Sequence, residues 1–480
     1  MHGSSRDFSA PGAARSHGAP DAARSVGPAG AGGPAGPDDA ARRAAPVLGR
    51  RSLMQGAGAL AALGGLGALS GCAGASARAS DDIAFWHLLS GPDGVTMGEL
   101  LDGYMATDGA AKVTQTVLAW GAPYYTKLAM ASAGGRAPDL AVMHAARVPG
   151  YAPGGLLDEW DLDLLGEFGI RQEDFPELIW DKMIVDDKLT CIALDSHPFV
   201  LYYNTEIAEA AGVLGSDGLL LPTDTPEDFR DLALELGGKA PSGYGLSWGY
   251  LGDGSNQWRM FSTYYTQLGG TIELPEGGKM QYQEELVVQA IEWILSLIDG
   301  EVGNGGHDGG TAISEFATGG SGAFYGGVWE TGSYKNEGLP FDITVVPGVF
   351  GEPVAYADSH SFVLPHQMNP DEERRRTVHG LVAHLLKNSI DWAAAGHIPA
   401  YSPVVEDLAY GELIPQSHYA DAVDHLVYDP PAWFTGSGSD FHTYFGNDMQ
   451  NVWARRTDPL DGWNDFVARI DALLQKPSPM

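Results

Sequence analysis

The sequence predicts an α/β protein built as two lobes. Three observations carry this: strand-like and helix-like segments alternate from Ile83 to Met143, about 400 residues remain once the leading segment is set aside, and a second region near Asp195 brings its own helix starts. Ile83-Ala84-Phe85-Trp86 reads as a short buried strand, after which Met97, Leu100, Leu101 and Tyr104 recur at helical spacing. Lys112 to Leu118 alternates as a strand, Tyr124 to Ala133 reads as a helix closed by Gly134-Gly135, and Pro138 to Met143 reads as another strand. Such alternation specifies a mainly parallel sheet, with ligands at the carboxyl ends of its strands. In the second region, Thr225-Pro226-Glu227-Asp228 is an N-cap followed by proline at the first helical position and acids in the first turn. Glu284 to Ile298 forms a long amphipathic helix before the glycine-rich stretch Gly300 to Gly310. Ile343 to Pro347 and Ser361 to Pro365 read as strands, Thr377 to Lys387 as a helix, and the remainder from about Tyr401 as helical and rich in aromatics.

Residues 1–49 are dominated by Ala, Gly, Pro, Ser and Arg and lack the apolar spacing from which a core forms. Arg50-Arg51 then precedes an uncharged Ala/Gly/Leu run that ends at Leu69-Ser70-Gly71-Cys72. The adjacent arginines resemble a twin-arginine (Tat) signal peptide, and the end of the run matches the bacterial lipobox. Cleavage there would leave Cys72 as a diacylated N-terminal residue and a lipid anchor. Signal peptides begin close to their arginines, so translation is expected to start near Val47 at a non-AUG codon, or else the preface is an unstructured extension. No second apolar stretch is long enough to cross a bilayer.

The whole chain carries a formal charge of −34. Removing residues 1–72 takes away seven Arg and four Asp, leaving 21 basic and 58 acidic side chains and a charge of −37. A surface of that sign excludes nucleic acid as a partner and suits neutral or cationic solutes. Cys191 is the only other cysteine, so no intramolecular disulfide is possible, and its apolar strand-like setting reads as an inert core thiol.

Several short motifs occur in a fixed order. They are Ile83-Ala84-Phe85-Trp86-His87, Ala137-Pro138-Asp139-Leu140, Gly154-Gly155-Leu156-Leu157, Asp195-Ser196-His197-Pro198, Leu201-Tyr202-Tyr203-Asn204-Thr205, Gly327-Val328-Trp329-Glu330 and Tyr356-Ala357-Asp358-Ser359-His360. In this order the chain resembles the extracellular solute-binding proteins of ABC importers, in the large sugar-binding family that includes maltodextrin-binding proteins. The resemblance implies a periplasmic-binding-protein-like fold of type II, two α/β lobes joined by several crossover segments with a ligand cleft between them. It also implies hinge closure on a captured carbohydrate and delivery to membrane permease subunits, by a monomer without cofactor or catalysis. The expected layout has an extension and signal in residues 1–72 and a tether in 73–80. Lobe one is expected in 81–195, lobe two in 196–345, a return to lobe one in 346–400, and a C-terminal helical segment, mainly of lobe two, in 401–480. Met143, His144 and Arg147 stand where maltodextrin binders carry an aromatic platform, so maltose itself is not expected.

A neutral sugar offers hydroxyls and an apolar ring face, so its site needs stacking aromatics beside planar donors and acceptors. Trp329 is the leading stacker, because neighbouring glycines allow close backbone approach and the family places a sugar-contacting Trp there. Glu330 beside it is a hydroxyl acceptor. Asp195 and His197 stand where the chain leaves the first lobe, and His87 and Ser90 lie at the end of the first strand. Trp248 and Trp258 flank Gly252-Asp253-Gly254-Ser255-Asn256 as subsite walls, and Trp433 follows Asp429-Pro430-Pro431 in the late segment. His360 at the second crossover and Tyr401 after the third complete the candidates.

Fourteen histidines raise a metal reading, but His379 and His384 point to different helix faces and no His-x-x-x-His pair occurs, so no metal is expected. The competing class is an anchored glycoside hydrolase, which needs two carboxylates at a defined separation; no placed pair stands out and Gly-x-Ser-x-Gly is absent. A third reading keeps the fold and changes the solute to a polyol, polyamine or peptide. Carboxylates around an aromatic box would mark a cation, and Trp platforms beside mixed donors and acceptors a sugar.

Overall fold

The computed structural model describes residues 82–478. The twin arginines, the lipobox with Cys72, the 73–80 tether and the region around Val47 lie outside the described residues.

Strand β1 (Ile83–His87) buries alternate residues and pairs in parallel with β2 (Val113–Val117) and β3 (Leu140–His144). Helix α1 (Gly91–Met105) starts on Pro92, whose missing N–H costs nothing in a first turn. It buries Met97, Leu100, Leu101 and Tyr104, one face of a 3.6-residue repeat. Helix α2 (Ala122–Ala133) covers the sheet through Tyr124, Tyr125 and Leu128. Short strands β4 (Leu157–Asp158) and β7 (Ile192–Ala193), with the small hairpin β5 (Ile184–Val185) and β6 (Lys188–Leu189) between them, complete this first passage.

The chain then leaves through β8 (Asp195–Asn204), ten residues all buried, as a strand covered on both faces must be. Around β8 assemble β9 (Leu246–Ser247), β10 (Ala323–Gly327), β11 (Phe341–Val345) and β12 (Ala355–Asp358). Next, β13 (His360–Pro365) returns to the first sheet and lies antiparallel to β3, while β14 (Ile398–Pro399) and β15 (Leu426–Val427) join the second. The first sheet has the order β2-β1-β3-β13-β4 with β7 on β13, and the second β15-β12-β8-β10-β9 with β11 and β14 also on β8. Each sheet has its own core, one centred on Phe85, Val142, Phe362 and Leu381, the other on Phe199, Trp258, Tyr325 and Phe445.

The predicted N-cap is present: the Thr225 hydroxyl accepts from the Asp228 amide, and Pro226 opens the helix. Two details differ from the sequence reading. Strand β12 belongs to the second sheet because Tyr356 packs in the second core, so the chain re-enters the first sheet at His360 rather than near residue 346. Between Tyr401 and Ser439 the chain makes short turns plus β15, and long helices appear only at Asp440–Trp453 and Pro459–Leu474. The many Pro, Gly and Asp residues of that stretch end each helical turn soon after it starts. Cys191 is fully buried, and burial pushes its thiol up to about 12, the behaviour of an inert core cysteine.

Candidate ligand-binding cleft

A cleft of about 370 Å³ opens between the two sheets. From the first lobe come Leu88 to Asp93 where β1 runs into α1, Trp120 just before α2, His144 at the end of β3 and His360 at the start of β13. From the second come His197 on β8, Asp253 and Arg259 at the start of the helix Gly254–Gln267, and Trp329, Glu330 and Ser333 after β10. Ser437 closes the late side. The walls thus stand at strand ends, where an α/β sheet leaves backbone and side chains free to meet a ligand.

Register explains why histidines meet on the floor. His360 pairs with His144 across β13 and β3, while Asp358 pairs with His197 across β12 and β8. His144, His197 and His360 therefore pack ring to ring, with the His197 and His360 centroids 4.2 Å apart. Tyr125 fixes His144 through its hydroxyl, 2.6 Å from Nδ1.

Beneath the floor, Asp195 is wholly buried and fully engaged. Its Oδ1 accepts from the His360 backbone amide at 2.8 Å and lies 3.1 Å from His197 Nδ1. Its Oδ2 accepts from Trp392 Nε1 at 2.6 Å and lies 2.8 Å from His360 Nδ1. Burial opposes ionisation of Asp195, but His360, His197 and His397 around it hold the carboxyl well below the usual range. Burial drives His197 down to about 3, with His360 adding to the effect, and drives His144 well below the usual histidine value for the same reasons. For His397, burial also opposes protonation, but Asp93 and Asp195 on its two sides outweigh it and raise its pKa. The second crossing is held by Asp358, whose Oδ1 accepts from the Ala146 and Ser359 amides.

Trp329 follows the glycine pair at the end of β10. A Cβ on Gly327 would sit 1.9 Å from the indole, so the ring lies directly on that glycine, and Arg259 lies over the ring at 4.7 Å. Glu330, half-buried, is pushed up to about 7 by burial and then by Asp93. Trp120 is 46% exposed at the rim and reaches Gly438 in the late segment, where an added Cβ would meet the indole at 3.2 Å.

Of the residues selected from sequence, Ser90, His197, Trp329, Glu330 and His360 line the cleft, and Asp195 underlies it. Five others stand elsewhere. His87 is buried behind the wall and bonded to Gln115, because β1's alternation points it into the core. Trp248 and Trp258 are core residues of the second lobe; Trp248 packs tilted against Tyr250 and edge-on against Trp453, and Trp258 donates to Asp429. Tyr401 packs on Phe175 in the first core, and Trp433 packs against Phe434 with its carbonyl over Gly150. Asp93, Trp120, His144, Asp253, Arg259 and Ser437 reach the cleft without having been selected; Trp120 carried no local signal, whereas Asp253 and Arg259 stand in and beside the loop from which Trp258 was chosen, and the helix turns Arg259 rather than Trp258 toward the cleft.

The sequence model for bacterial extracellular solute-binding proteins matches residues 90–367. No curated protein matches the sequence. Among solved structures, the cyclic α-maltosyl-1,6-maltose binding protein of Arthrobacter globiformis is 16% identical, with a TM-score of 0.64 over 82% of this chain and 99% of that one. The GacH receptor of Streptomyces glaucescens, solved unliganded and with acarbose and an acarbose homologue, is 17% identical, with a TM-score of 0.67 over 82% and 98%. The maltose-bound MalE3 of T. maritima is 15% identical, also at 0.67, over 82% and 99%. These proteins share the two-lobed fold. The family match, which spans more than half of its length, shows that the chain belongs to the bacterial extracellular solute-binding protein family.

Proposed function

We propose that this chain is the lipid-anchored capture component of an ABC importer, that its solute is a carbohydrate of oligosaccharide size, and that Cys72 carries the anchor. The observation that carries the solute class is the composition of the cleft. Two tryptophans, Trp120 and Trp329, stand beside a mixed set of hydroxyl partners: Ser90, Asp93, His144, His197, Asp253, Arg259, Glu330, Ser333 and Ser437. Indole faces suit the apolar side of a pyranose, while carboxylates, imidazoles and a guanidinium suit its hydroxyls. Three carboxylates, Asp93, Asp253 and Glu330, stand in this set, but the guanidinium of Arg259 and the imidazoles of His144 and His197 among them favour a neutral solute over a polyamine.

The neighbours that bind cyclic maltosyl-maltose, acarbose and maltose favour the same solute class. Met143 is fully buried and Arg147 lies over Tyr125, 4.5 Å from its centroid, so no aromatic platform stands at that position. That departure favours a glycan other than ordinary maltodextrin. Among the described residues no helix is long and apolar enough to cross a membrane. The lipobox at Leu69-Ser70-Gly71-Cys72 supports attachment through Cys72. Hinge closure about the crossover segments would present the loaded, monomeric protein to the permease.

A thermal-shift screen of oligosaccharides, polyols and polyamines tests the solute class. A cognate ligand at a hundred times its dissociation constant adds about 2.7 kcal/mol. Stabilisation by a glycan is the expected result. Stabilisation by polyamines alone would overturn the solute class, and release of reducing ends from the stabilising glycan would support a hydrolase instead.

A further inference from the structure

Four side chains beneath the cleft converge from three separate chain crossings. Asp195 and His197 open β8, His360 opens β13, and His397 lies immediately before β14, which pairs with the start of β8. All four are buried, and one ligand atom from each lies within 4.8 Å of all the others. We propose that Asp195, His197, His360 and His397 form a binding site for one divalent late first-row transition cation, with Zn²⁺ as the reference ion, that ties the three crossovers together at the hinge. This goes beyond solute capture and does not depend on which solute is bound.

The donor set fits the ion class. Three imidazoles and one carboxylate suit zinc and its late transition-metal neighbours and do not suit calcium or magnesium, which take oxygen ligands. A tetrahedral ion with bonds of about 2.0–2.2 Å spaces its donors a little over 3 Å apart. Asp195 Oδ2 lies 2.8 Å from His360 Nδ1 and 3.3 Å from His397 Nδ1, and Oδ1 lies 3.1 Å from His197 Nδ1, so the carboxylate sits among all three imidazoles, and the rings must turn and draw in from a set spanning up to 4.8 Å to close the shell.

The outer contacts point the same way. His397 Nε2 lies 3.1 Å from Asp93 Oδ1, the carboxylate–histidine pairing that leaves the opposite ring nitrogen as a donor to a metal. That opposite atom, Nδ1, is fully buried and faces Asp195 Oδ2 without forming a hydrogen bond. Trp392 and the His360 amide orient the carboxylate, as hydrogen bonds to a ligating carboxylate do. His197 and His360 also line the cleft, which gives an ion a path from solvent.

The same atoms can be joined by protons alone, and the two arrangements differ in a direct measurement. The full chain, produced without a histidine tag and stripped with EDTA, is titrated with Zn²⁺ by calorimetry and with Co²⁺ by visible absorption. The expected result is one equivalent per chain, Co²⁺ bands of a tetrahedral nitrogen–oxygen site, and a melting temperature raised by Zn²⁺. His360→Gln with His397→Gln should abolish the stoichiometric site, and Asp93→Asn, a positioning change, should weaken it about 10- to 100-fold. If the double variant fails to fold, the Co²⁺ spectrum of the unaltered chain decides. No stoichiometric binding, octahedral all-oxygen Co²⁺ spectra, or a stoichiometry unchanged in a folded double variant would each overturn the site.

Discussion

Arg259 lies over the indole of Trp329, 4.7 Å from the ring centroid, while the ring rests on the α-carbon of Gly327. The indole is therefore held between a cation and a bare backbone. A pyranose stacking on the face that Arg259 covers would displace the guanidinium toward the sugar hydroxyls. Replacing Trp329 by Ala should weaken the cognate glycan about 10- to 100-fold, since each tenfold corresponds to about 1.4 kcal/mol. Calorimetric titration of the variant checks this.

Gly327 makes that geometry possible. An added Cβ would lie 1.9 Å from the ring, whereas the residue's φ of −92° is open to any side chain. Gly327→Ala should therefore displace the indole, reproduce the affinity loss of Trp329→Ala, and cost about 1–3 kcal/mol in stability through overpacking. Titration and denaturant unfolding measure the two effects separately.

Glu330 gives the fold a pH dependence of defined sign. Its carboxyl is raised to about 7 in the native state by burial and by Asp93, above the ordinary value of 4.5. Between those two pH values the native state holds a proton that the unfolded chain has released, so this group's contribution is full below about 4.5 and is lost as pH rises through about 7. Relative to Glu330→Gln, the melting temperature of the unaltered chain should fall across that window and level off above it. A parallel pair of melting curves from pH 4 to pH 8 would contradict this.

Trp258 serves the core rather than the cleft. Its indole N–H donates to Asp429 at 2.6 Å, and the same carboxylate accepts from Tyr356 and meets His442. Trp258→Phe should cost about 1–3 kcal/mol by removing a donor from a buried carboxylate, and it should leave glycan affinity within about twofold. Denaturant unfolding alongside titration checks both halves.

These contrasts show what a sequence carries. Alternation and helical spacing located β1, α1, β3 and the helix Glu284–Leu297 because each sets a regular run of apolar residues into the core of its lobe. Asp195, His197, His360 and Trp329 were legible because crossovers and glycine pairs mark them locally. His397 was not, since it joins Asp195 across about 200 residues and only the register of β14 on β8 brings it there. Trp248 and Trp258 misled for the opposite reason: an aromatic beside a glycine-rich loop looks the same whether it faces a cleft or a core. Strand β12 fell on the wrong side of the expected boundary because four buried residues, Ala355–Asp358, suit either sheet, and its pairing with β8 and β15 is a long-range choice that the local pattern does not carry.

Carbohydrate capture in this cleft turns on the face of Trp329. The most direct measurement is a calorimetric titration of the lipobox-truncated chain and its Trp329→Ala variant with the glycan that most raises the melting temperature. One molecule should bind per chain, with an affinity at least about tenfold weaker in the variant. Equal affinity in a folded variant, or no heat with any glycan while a polyamine binds, would contradict it.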